Sequence, residues 1–474
     1  VLIKRKAGDS KMMRLLKGGT VVSGKGLRQM DVLIDETTGT VRAVAEHIGG
    51  PAEDGAVTVV DVTGKLLFPG FIDAHTHFDL HVAGTVTADD FKSGSRAAIS
   101  GGTTLVIDFA TQEHGETLHE GLMNWHAKAD GNSSCDYAFH MAVSEWNEEV
   151  SKELDDMIEA GITSFKLYMT YPAMMLSDKA IYQVLKRLRE IGGIAGCHCE
   201  NMGLIDALVE EEKAKGHLDP TAHPVTRPDL AEAEAVNRLL KLARAADAPI
   251  IVVHLSSGAG YQEIKNARET GQEIYVETCP HYLLMDDGCY GEPDFAGAKY
   301  VCSPPLRKTA DQTRLWNALH KNHIQTVATD HCSFTTGQKA AGIDDFSKIP
   351  GGMPGVENRP VLMYTYGVCE ERISLEQMCR LLSENPAKLY GVYPKKGCIQ
   401  PGSDADIVVW DPKREWTISL ANQQSACDYS PYENTPVKGI AEKVFLRGKL
   451  AAENGVAVNE LQGRFQKRGK YQVF

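Results

Sequence analysis

Eight short apolar runs, most of them followed by a helix-patterned stretch, constrain this 474-residue chain more than any other feature. The runs are "FIDAHTH", "TTLVIDFA", "YAFHMAV", "SFKLYM", "GIAGCHCE", "PIIVVHLS", "EIYVETCP" and "TVATDHC". Between them lie segments with apolar residues at helical spacing, such as "EEVSKELDDMIEAG" and "SDKAIYQVLKRLREIG". Near-continuous apolar strands suit a parallel sheet covered on both faces. Eight such units over roughly 260 residues predict an α/β fold of the (β/α)8, TIM-like kind. The pattern changes on either side. "RLLKGGTVV" and "QMDVLID" before the barrel, and "GSDADIVVWD" and "KVFLRGKLAAENG" after it, read as short strands split by turns. The two chain ends are therefore expected to form one small β-sandwich domain, 12–66 with 391–460, around an inserted barrel at 67–390. Residues 1–11 read as a vector-derived or disordered leader, with a native start at Met12 or Met13. The basic, aromatic tail at 461–474 reads either as a disordered end or as a contact to a neighbouring subunit.

Composition narrows the function classes. A net charge of −13 argues against a dedicated nucleic-acid binder. No apolar run reaches the length of a membrane span, and "VLIKRKAGDSKMM" lacks the apolar core of a signal peptide. The 11 scattered cysteines suggest no disulfide framework and point to a reducing, cytoplasmic compartment.

In a barrel of this class the chemistry sits at the C-terminal ends of the strands. Strand one ends in His75 and His77, strand four carries Lys166, strand five His198, strand six His254 and strand eight Asp330. Each is weak evidence alone, since a lone histidine is more often a satisfied core residue. Together they are metal-ligand types at five of eight strand ends, and they predict a metal centre. Cys197 and Cys199 flank His198, but strand alternation turns both thiols away if His198 faces the axis. His281 and His331 are left as orienting or structural groups.

Lys166 sits inside "GITSFKLYMTY", an apolar strand where a bare ammonium is costly. A protonated amine cannot bind a cation. A free amine, favoured by burial and nearby positive charge, reacts with carbon dioxide to give an anionic carbamate that can bridge two metals. The bland alternative is a lysine snorkelling to the barrel rim.

These stretches, with "CHCEN", "VVHLSS", "CSPPLR", "GGMPGVENR" and "DYSPYE", resemble the cyclic amidohydrolases of the dihydropyrimidinase/hydantoinase group, from Met13 almost to the end. The resemblance implies two divalent metals, expected to be Zn2+. His75, His77 and Asp330 would hold one and His198 and His254 the other, with Lys166 as the bridging N6-carboxylysine. It implies Tyr171 hydrogen-bonding the oxyanion, Ser303 and Asn358 holding the substrate's ring amides, and Asp330 relaying the proton. The implied reaction is attack of a metal-bridging hydroxide on a 5,6-dihydropyrimidine or 5-substituted hydantoin, opening it to an N-carbamoyl amino acid. A homotetramer, with no nucleic-acid or membrane partner, is also implied.

Three rivals share the fold. Dihydroorotases commonly carry an arginine two residues after the His-x-His, where this chain has Asp79. Allantoinase has a similar ligand set, and only "TSFKLYMTY" with Tyr171 leans away from it. Collapsin-response-mediator-like scaffolds typically lack the metal set that is complete here. Loops near Phe78–Ala83 and Pro172–Met175 are expected to line the pocket for the exocyclic substituent, and "YPAMM" offers adaptable apolar surface there.

Overall fold

The computed structural model describes residues 12–49, 57–113 and 115–473, so the expected leader lies outside the described residues. Each apolar run forms a strand. Barrel strands one to eight are Phe71–Thr76, Thr103–Thr111, Asp136–Ala142, Ser164–Tyr168, Ile194–His198, Ile250–Val252, Ile274–Thr278 and Thr326–Val327. They pair in parallel in chain order, and a bridge between Thr76 and His331 carries the pairing across the seam. Side chains sew that seam. Arg359 donates to the carbonyls of Ile72 and Val327 at 2.7 and 2.9 Å. Asp73 accepts from the Thr329 N–H at 3.1 Å and its hydroxyl at 2.7 Å.

The intervening helices start and stop where their sequences say. The helix Glu148–Ala160 is capped by the Asn147 side chain accepting from the Val150 N–H, and ends at Gly161 with φ 89°, a left-handed conformation that glycine adopts without strain. Its buried stripe is Val150, Leu154 and Met157. Inside the barrel, Ile72, Leu105, Ile107, Ile251 and Tyr275 fill the lower layers and pack on Leu389, Tyr390 and Val392.

Both chain ends do meet in one small domain. The strand Leu66–Pro69 pairs antiparallel with Ile407–Thr417. That pairing joins N-terminal and C-terminal strands into one nine-stranded sheet. The sheet wraps its own core of Leu16, Val32, Ile34, Leu67, Val409 and Phe445. Among the described residues no helix is long and apolar enough to cross a membrane.

The tail packs on this chain's own barrel. It crosses the end opposite the strand C-termini, where Gln466 N–H donates to Tyr137 O at 2.8 Å, Arg468 N–H to Gly161 O at 3.1 Å and Gly469 N–H to Gly391 O at 2.9 Å. A Cβ on Gly391 would lie 2.0 Å from Gly469 O, so only glycine admits the strap there.

Candidate metal centre

The strand ends bring four imidazoles into an arc. Ring centroids lie 5.2 Å apart for His75 and His77, 5.4 Å for His75 and His254, and 4.6 Å for His198 and His254. Asp330 closes one side, its Oδ1 lying 3.1 Å from His75 Nε2 and 3.0 Å from His77 Nε2. Strands six and eight are shorter than their apolar runs, so His254 and Asp330 lie beyond the ladder. Their φ angles are 39° and 50°. Tyr171, past strand four, has φ 66°. Three non-glycine residues in left-handed backbone at one barrel mouth are strain held in place by the surrounding fold. At His254 the turn aims inward a side chain that alternation from Ile251 and Val253 would carry away from the axis.

Carboxylates behind the ring set which nitrogens face inward. Glu277 meets His75 Nδ1 at 2.6 Å, leaving Nε2 to the centre. Glu200 meets His198 Nε2 at 2.7 Å, leaving Nδ1, and is itself paired with Arg227 at 2.6 Å. Both nitrogens of His254 are buried with no hydrogen-bond partner among the described residues. Burial holds His254 well below the imidazole range, with Lys166 adding to the effect, and burial also lowers His198. For His198 and His254 this favours the neutral imidazole with a free lone pair, the state a metal requires.

Lys166 is 1% exposed. Among the described residues no carboxylate lies within ion-pair distance of it, and its Nζ sits 5.0 Å from the centroid of Phe109 and 5.3 Å from that of Tyr168. Burial pushes its ammonium down against the pull of Asp330 and Glu277. Burial alone would raise the Asp330 carboxyl, but His75 and His77 hold it well below the usual carboxylate range.

The sequence matches the amidohydrolase family over residues 66–451. The chain belongs to that family. A D-hydantoinase of Streptomyces coelicolor is 46% identical over 439 residues, covering 92% of this chain and 93% of that protein. A D-hydantoinase of Geobacillus stearothermophilus is 40% identical, with 97% of each chain covered. The crystal structure of a dihydropyrimidinase from Brevibacillus agri superposes with a TM-score of 0.95 at 41% identity, covering 98% of this chain and all of that one.

In this amidohydrolase the donor set suits divalent cations. It offers imidazoles fixed by carboxylates, a charged Asp330 and an unpaired amine, all at one barrel mouth. His75, His77 and Asp330 present ligand atoms within 4.8 Å of one another. Asp136, Asp404 and Asp406 make a second such group, but the Lys396 ammonium already fills it, at 2.7, 3.0 and 2.5 Å.

The remaining expected residues fall around the mouth. The Tyr171 ring lies 5.1 Å from that of His198. Burial pushes its phenol up, partly offset by Arg227 and by a hydrogen bond involving Ser303. Asn358 is 4% exposed, and its Nδ2 has no partner among the described residues. Asn358 rides on a loop held by His331, whose Nδ1 accepts from Gly355 N–H at 3.0 Å and Val356 N–H at 3.2 Å while Nε2 faces Asp89 at 3.0 Å. Cys197 and Cys199 belong to the main apolar cluster, apart from the group filling the barrel's lower interior. Sequence reasoning alone does not single out Glu277, Glu200, Asp73 or Asp89. The available signal is a carboxylate inside an apolar run, as in "FIDAHTH" and "EIYVETCP".

Proposed function

We propose that this chain opens cyclic amides and imides, namely 5,6-dihydropyrimidines and 5-substituted hydantoins, to N-carbamoyl amino acids. The observation that carries the reading is the set of inward-facing imidazole nitrogens around Asp330 and an unpaired, fully buried Lys166. The names of the relatives support it from outside.

His75, His77 and Asp330 would hold one divalent cation and His198 and His254 a second, with Lys166 shared between them as its CO2-derived carbamate. Two such cations, zinc by the resemblance, would supply hydroxide at neutral pH and Lewis-acid polarisation of a ring carbonyl. Asp330, kept ionised by its histidines, takes the nucleophile's proton and passes it to the leaving ring nitrogen. Tyr171, whose phenol burial pushes up, donates a hydrogen bond to the carbonyl oxygen as that oxygen gains charge. Ser303 and Asn358 hold the ring's amide edge, and their loops fix its orientation. The barrel at 67–390 carries the chemistry, and the domain of 12–66 with 391–460 supports it. The enzyme works as a cytoplasmic homotetramer.

The test is ring opening by zinc- and bicarbonate-supplied protein, with dihydrouracil, a 5-aryl hydantoin and allantoin side by side. Fast turnover of dihydrouracil places the enzyme in pyrimidine catabolism, and preference for the aryl hydantoin makes it a hydantoinase. If only allantoin opened, the allantoinase reading would replace this one. If none opened, the substrate class would be wrong.

A further inference from the structure

The polar layer beneath the metal centre is finished by the C-terminal tail. Arg468 is 4% exposed, on the strap that closes the barrel's lower end. Its Nη1 donates to Ser164 Oγ at 2.7 Å and its Nη2 to Phe139 O. Ser164 Oγ meets His140 Nδ1 at 2.6 Å, and His140 Nε2 meets Ala74 O at 2.9 Å.

The donors in this chain are fixed by chemistry. A guanidinium only donates, so Ser164 accepts from Arg468 and gives its single hydrogen to His140 Nδ1. His140 is then the neutral Nε2–H tautomer and donates to Ala74 O. Every bond runs one way, from the tail to the residue before His75. Ser164 lies two residues before Lys166 and on the same face of strand four. One directed chain therefore ties the strand of Lys166 to the strand of His75. Packing carries the same connection. The His140 ring stacks on Phe109 at 4.6 Å, and Phe109 lies 4.5 Å from His75 and 4.8 Å from His77. A small cavity bounded by Ala74, Phe109, His140, Ser164 and Lys166 lies between this layer and the lysine.

Arg468 has no carboxylate partner among the described residues, and its Nε is buried without a hydrogen bond. A buried, unpaired guanidinium is a costly way to anchor a tail. Lys396, by comparison, is held by three aspartates.

We propose that Arg468 is a positioning residue for the metal centre. Through Ser164 and His140 it fixes strands one and four against each other, so that His75 and the Lys166 carbamate keep a common metal. The proposal rests on the metal and carbamate reading given above.

The test uses full-length protein loaded with zinc and 13C-bicarbonate, comparing wild type with Arg468→Gln and Ser164→Ala. Three quantities are read: melting temperature, the rate of zinc loss to a chelator well below melting, and the rate at which the 13C label at Lys166 exchanges. Ser164→Ala removes one hydroxyl and leaves every backbone contact of the tail, so it decides the matter if Arg468→Gln does not fold. Both variants are expected to lose zinc and exchange label about ten-fold faster or more. Zinc loss and label exchange at the wild-type rate, with only a lowered melting temperature, would make the tail a plain stabiliser and overturn the proposal. If wild type itself took up neither zinc nor label, the underlying centre would have failed instead.

Discussion

Two lysines buried to the same degree sit in opposite surroundings. Lys396 is 2% exposed and Lys166 is 1% exposed. The Lys396 ammonium touches Asp136, Asp404 and Asp406, and these partners raise its pKa although burial opposes them. Lys166 touches no carboxylate among the described residues, and burial lowers its pKa. A third buried lysine, Lys339, has an intermediate solution, donating to the carbonyls of Val301, Pro350 and Gly352 at 2.8, 2.7 and 2.8 Å. A lysine kept for structure is fully satisfied as an ammonium. One left unsatisfied among metal-ligand types is set up to be something other than an ammonium. That difference, more than burial itself, is the ground for the role proposed for Lys166.

The comparison can be broken by treating both lysines alike. Lys166→Met is expected to lower ring opening by about a thousand-fold or more and abolish stoichiometric metal uptake. Its metal-free protein should melt at or above the wild-type temperature, because an unpaired buried amine is replaced by an apolar chain. Lys396→Met should do the reverse. It leaves Asp404 and Asp406 buried without a cation, while Asp136 keeps Arg447, and should cost about 3–5 kcal/mol of stability by denaturant unfolding, while the molecules that remain folded keep their metal and turnover. If Lys166→Met unfolded the protein and Lys396→Met did not, the two roles would have been exchanged.

Smaller effects sharpen the picture. Tyr171→Phe removes the donor proposed for the developing oxyanion and should lower kcat by about 10^2-fold with metal content unchanged, which parallel kinetics and metal analysis would check. Glu277→Gln leaves the proposed metal ligands in place but loosens the orientation of His75. It should weaken metal affinity by about ten- to a hundred-fold, read by competition with a chelator.

The smallest expected effect is a pH slope. Burial alone would raise Glu200, but Arg227 and His198 bring it down to about 2 from 4.5. A carboxyl depressed in the folded state stabilises fully above its unfolded value, and that contribution is lost as pH falls toward 2. Urea midpoints of the metal-free protein between pH 5 and pH 3 should therefore fall less steeply in Glu200→Gln than in wild type.

The barrel was legible because its signal is distributed. Eight apolar runs at regular spacing survive a wrong reading of any one of them, and all eight are strands. Lys166 was legible because a charge inside "TSFKLYM" violates its surroundings. Glu277 and Asp73 break the same rule in their own strands, but a carboxylate in a strand has many structural uses, and only the fold shows which histidine or seam it serves. The directing turns at His254 and Asp330 could not be read from residue type, since neither residue is a glycine. The tail's role was hidden for another reason. Arg468 is one basic residue in a basic segment, and its burial depends on glycines at 161 and 391, far from it in sequence.

The most direct test of the central claim is metal uptake by purified, metal-free protein with and without carbon dioxide, with 13C-bicarbonate as the source. Two zinc ions and one 13C carbamate signal per chain are expected when carbon dioxide is present. In its absence uptake should stay well below two, and Lys166→Met should give no signal under either condition. Two tightly held ions per chain without carbon dioxide, and with no labelled lysine, would contradict that claim.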